Sequence, residues 1–226
     1  MKRRVVAAAV AFVCVLAGAV ALIHVPRGRP LADAVASHLG MFCPAKKVTP
    51  AAAEELRVRG VSALRGKHKA PARPALGWPL DVGREDNVML WARNVGVRCA
   101  AKQIPARVMT CTDVPAGAFP WGAREGIIDE VAFGFAPDGR LVAVQTLRRA
   151  LTGLQAARLY DQIADDLEAR LGRQPEHVGA ATAAHLDAAP MNTARLTYRF
   201  ADYLATVTAM NLSGRVGLRE QYLSAT

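Results

Sequence analysis

RCAAKQIPARVMTCTD, residues 98–113, is the stretch that decides how this chain folds. Cys99 and Cys111 stand equally far from Pro105, and apolar and polar residues alternate between them. A period of two is the pattern of a strand with one buried face. If the strand reverses at Pro105, residues whose numbers sum to 210 oppose each other. The cysteines then form a cross-strand pair with Cβ atoms about 4.5–5.5 Å apart, within reach of a disulfide after local adjustment. Two other readings stay open: a bond from either cysteine to Cys43, or unbonded thiols packed as small apolar residues. The CxxC spacing of redox, zinc and haem sites is absent.

Which reading applies depends on the compartment, and the N-terminus speaks to that. Lys2, Arg3 and Arg4 precede an apolar run from Val5 to Ile23, followed by Pro26 and two arginines. A basic start and an apolar run are an export signal. As a helix the run would reach about 30 Å, the thickness of a bilayer core. Residues 1–26 are therefore read as a transmembrane signal-anchor, the alternative being cleavage near Ala19 or Ala21. Cys14 is read as a packing residue rather than a lipid attachment site. The basic start would hold the N-terminus in the cytoplasm and place the rest on the exported side of the inner membrane, periplasmic or extracellular. An oxidising compartment there favours the bond. If the anchor is instead removed, the protein is secreted or periplasmic.

Composition agrees with one globular core: 52% of residues are apolar and 21% charged, but only 6% aromatic. The net charge of +10 belongs to the first half of the chain, and the second half is slightly acidic. Lys46, Lys47, Arg57, Arg59, Arg65, Lys67, Lys69 and Arg73 are the candidate contacts to anionic lipid or another polyanion. The bland alternative is a solvated arginine-rich surface. Nucleic acid is not expected, because residues 67–73 lack interleaved aromatics.

Residues 27–80 read as a basic, helical and proline-rich membrane-proximal segment, and residues 81–226 as an exported α+β domain. Helices are predicted over 31–39, 49–65 and 152–171. Thr49 with Pro50 opens the second, and a Thr152–Gln155 capping box opens the third. Residues 67–79 read as a loop or linker, with Trp78 as a core plug. Strands are predicted over 88–97, 99–114, 127–135, 141–147, 196–200, 204–210 and 216–223. Ala136-Pro137-Asp138-Gly139 makes a tight turn. Hairpins without βαβ alternation imply a mostly antiparallel sheet covered by two main helices. Both long helices open on threonine and close on glycine, but the side chains hardly match, so no duplication is read.

No phosphate loop, GxGxxG, GxSxG or HExxH motif occurs. His38 with Cys43 lacks an orienting acid and an oxyanion site. His177, His185, Glu176 and Asp187 would need to converge in space to hold a metal, and they read as a solvated loop. No catalytic residue, metal or cofactor is expected. The expected function is that of a non-catalytic, membrane-anchored accessory or scaffold subunit docking onto other envelope or membrane proteins. The rival is a cleaved small-ligand-binding domain with its pocket between the sheet and the helix at 152–171.

Overall fold

The computed structural model describes residues 49–103, 106–122, 125–172 and 175–226. The apolar run at 5–23, the helix predicted over 31–39, and Cys14, Cys43, Lys46 and Lys47 lie outside the described residues. No helix among the described residues is long and apolar enough to cross a membrane.

The strands form one eight-stranded sheet. They are β1 (Arg98–Gln103), β2 (Arg107–Pro115), β3 (Ile127–Phe135), β4 (Leu141–Leu151), β5 (Glu176–Val178), β6 (Thr193–Arg199), β7 (Tyr203–Asn211) and β8 (Val216–Ser224). Their order is β1-β2-β3-β4-β8-β7-β6-β5, with every neighbour antiparallel. The fold class is thus α+β on an antiparallel sheet. The register of β1 on β2 runs from Arg98 opposite Thr112 to Gln103 opposite Arg107, the reversal anticipated around Pro105. Cys99 and Cys111 oppose each other with Cα atoms 4.0 Å apart and are joined by a disulfide.

Turn and cap chemistry account for most local boundaries. The β3–β4 turn closes through Gly139 N–H to Ala136 O, while Asp138 Oδ1 accepts from Arg140 N–H. Helix α1 (Pro50–Ser62) starts at Thr49, whose hydroxyl accepts from Ala52 N–H. It ends one turn before the glycine expected to stop it. Helix α3 (Gly153–Leu171) has the expected Thr152–Gln155 capping box. Its buried stripe of Tyr160, Ile163, Leu167 and Leu171 packs on β7, β8 and β4.

The strand predicted over 88–97 is instead helix α2 (Glu85–Val95). A period of two would bury Leu90 with Val88 and Ala92, but Leu90 is 59% exposed while the other two are buried. The period that operates joins Val88, Trp91, Ala92 and Val95 at i, i+3, i+4 and i+7. Asn87 Oδ1 accepts from Arg84 N–H at the start, and Gly96 closes the end at φ 78°.

Residues 66–80 hold no helix or strand, as expected of a loop, but they are bound to the sheet. Ala70 N–H donates to Asp202, Ala201 N–H to His68 O, and Tyr203 OH to Pro74 O. Ala75, Leu76 and Leu80 are buried. Trp78 packs edge-on to Trp91 at 5.6 Å and to Phe133 at 5.0 Å, so it does plug the core. Within the segment read as a loop after α3, the structure forms β5 and helix α4 (Ala183–Ala188).

Helices α2 and α3 therefore cover one sheet face, the one carrying Met109, Val131, Phe133, Val144, Val207 and Tyr222. The expected second cover, α1, does not share it. Val61 of α1 packs with Leu204 and Leu223, which alternate with core residues and so point to the opposite face. The topology also repeats: α2 then β1–β4, and α3 then β5–β8, with the two meanders joined through their last strands. This repeat pairs α2, not α1, with α3, so it differs from the threonine-to-glycine punctuation in which no duplication was read.

Candidate functional site

Register builds the site. On the face away from α2 and α3, strand pairing aligns Leu147, Arg219, Thr208 and Arg195 in one row across β4, β8, β7 and β6. The next row is Gln145, Gln221, Thr206 and Thr197, and the third is Ala143, Leu223, Leu204 and Arg199. All of these side chains but Gln145 and Ala143 line a shallow depression of about 480 Å³, with Leu64 and Leu212 at its margin. Among the described residues its lining holds three arginines and no carboxylate.

The three arginines differ. Arg219 Nη2 donates to Gln145 Oε1 at 2.7 Å. Arg199 is tied to Glu176 of β5 at 3.0 Å. Arg195 is exposed and has no ion pair among the described residues. Aliphatic groups and threonines surround them, so the surface offers both contact area and fixed positive charge.

The covered face carries the buried polar groups. Glu220 accepts from Thr146 Oγ1 at 2.8 Å and from Tyr222 OH at 2.6 Å. Burial pushes the Glu220 carboxyl up, against hydrogen bonds from Tyr222 and Thr146 and the charge of Arg148. This acid is 1% exposed, so its donors satisfy a buried group rather than wait for a substrate. Burial also pushes Asp81 up, but hydrogen bonds from Ser224 and Arg73 outweigh it and hold the carboxyl below its ordinary range. A second depression, about 420 Å³, lies among Pro50, Glu54, Arg84, Glu85, Asp86 and Arg107, where Glu85 and Arg107 neutralise each other.

The residues singled out from sequence do not gather here. Arg57 binds Glu54 and Ser224 O, Arg59 binds Glu55, and the half-buried Arg73 binds Asp81. Arg65, Lys67 and Lys69 are exposed, with no ion pair to another described residue. Glu176 of β5 is engaged by Arg199 of β6, and Asp187 of α4 accepts from Gly153 N–H at the start of α3. No group of three or more metal-ligating side chains occurs among the described residues.

Sequence reasoning missed Arg195, Arg199 and Arg219. Alternation on β6 was legible, and with Leu196 and Tyr198 inward it turns both β6 arginines outward. Their alignment with Arg219 was not legible, because two hairpin registers must be known. Comparison with models of protein families, with curated proteins and with solved structures found no match, so the reading of this face rests on its geometry.

Proposed function

We propose that this chain is a non-catalytic accessory or scaffold protein that binds another protein through the face of β6, β7, β8 and β4 that α2 and α3 leave open. One observation carries the reading: the sheet is covered by α2 and α3 on one face and carries, beside α1 on the other, a depression of leucine, threonine and arginine side chains. Extended sheet surfaces with an apolar centre and guanidinium groups suit protein recognition. The apolar run at 5–23 supports placing the partner in the envelope, reached from a membrane-anchored or exported chain. Arg65, Lys67 and Lys69 leave room for contact with anionic lipid beside it. The rival ligand pocket under α3 has less support, because Ala156, Ile163 and Leu167 fill that space.

A photo-reactive amino acid tests the reading in cells making the full chain. Placed at Thr206 it should yield a protein adduct, whereas at the exposed Ala169 of α3 it should not. Adducts at Ala169 alone, or at neither position, would reject the uncovered face as the docking surface.

A further inference from the structure

We infer that the partner presents an acidic protein segment to this face, its carboxylates held by Arg195 and Arg219. The inference rests on the docking reading above. Arg195 and Arg219 flank Thr208 in one row across three neighbouring strands. At about 4.8 Å per strand spacing, their backbones lie roughly 10 Å apart. Two guanidinium forks rooted at that backbone spacing suit two carboxylates on one segment, each able to take a bidentate pair.

Among the described residues no acid pairs with Arg195, and the hydrogen-bond partner of Arg219 is a neutral glutamine. Glu176 offsets Arg199, and with no carboxylate among the described lining residues Arg195 and Arg219 leave the depression net positive. Leu147, Met210 and Leu223 border the row, so the segment would carry aliphatic side chains beside its acids. The lining holds no aromatic ring, which removes the stacking that single-stranded nucleic acid needs. The arginines sit in a depression rather than on a projecting rim, which fits a protruding segment better than a flat bilayer.

The test repeats the Thr206 photo-cross-link in the full chain with Arg195→Glu and Arg219→Glu together. Both side chains are exposed, and a thermal melt matching the parent shows the fold is kept. The adduct should fall roughly tenfold or more, and mass spectrometry should find at least two carboxylates in the cross-linked partner peptide. If the melt drops, Arg195→Gln with Arg219→Gln serves instead, with a smaller loss expected in the same direction. An adduct that persists in the charge variants, or a neutral or basic partner peptide, overturns the acidic segment while leaving the docking face. No adduct in the parent overturns both. Purified full chain is also mixed with phosphatidylglycerol vesicles and with phosphatidylcholine vesicles. Charge-reversal-sensitive binding to the former, without a protein adduct, would assign the arginines to lipid and overturn the inference.

Discussion

Asp81 shows how much one side chain can organise. It sits at φ 66°, accepts from Arg73 and from Ser224 Oγ at 2.8 Å, and lies 3.8 Å from Arg140. It thus ties the strap before α2 to the end of β8. Because its folded-state pKa is lowered, its contribution to stability is present above the ordinary carboxylate value and is lost as pH falls through the lowered one. Asp81→Asn keeps a residue that tolerates positive φ, so the substitution isolates the charge. The variant should lose about 1–2 kcal/mol at pH 7. Its denaturant midpoint should also change less than the parent's between pH 6 and pH 3. Equal pH slopes for the two proteins would contradict the pairing. Glu220 acts with the opposite sign: its raised value makes the folded state the better proton binder, so its contribution declines as pH rises through that window.

At the scale of elements, the contact of the strap with the β6–β7 turn sets the position of α1. A Cβ added at Gly66 would lie 2.1 Å from Arg199 O, a backbone atom that cannot swing aside. Gly66 N–H also donates to Phe200 O at 3.2 Å. Gly66→Ala should therefore destabilise by about 1–3 kcal/mol. A melting temperature equal to the parent's would show that the strap is not seated there. The β1–β2 hairpin was legible from alternation and the two cysteines. Helix α2 was not, because a residue run such as NVML satisfies both periods, and only the depth of the core shows that Leu90 points outward. For the same reason, a proline-rich segment that reads as a linker can be a strap, since burial depends on residues more than a hundred positions away.

For the whole molecule, compartment and covalent state are read together. The full-length chain recovered from the cells that make it, alkylated without reduction, should carry two labels, on Cys14 and Cys43, with Cys99 and Cys111 protected. Labels on all four cysteines would refute the bond in the cell. A mass lacking the first two dozen or so residues would mean a cleaved leader in place of an anchor. Replacing Cys99 and Cys111 with serine should cost about 3 kcal/mol in the chain-entropy account of a short closed loop.

The sequence by itself determined the N-caps of α1 and α3, the β3–β4 turn, the hairpin-rich antiparallel character of the strands and, given a reversal at Pro105, the register of the cysteine hairpin. All of these follow from contacts between residues close along the chain. Only the tertiary structure decided that α2, not α1, shares the covered face with α3, that the two meanders join through β4 and β8, and that Arg195 lines up with Arg219. Those outcomes depend on which distant strands pair and which faces become buried, and no local pattern along the chain encodes either.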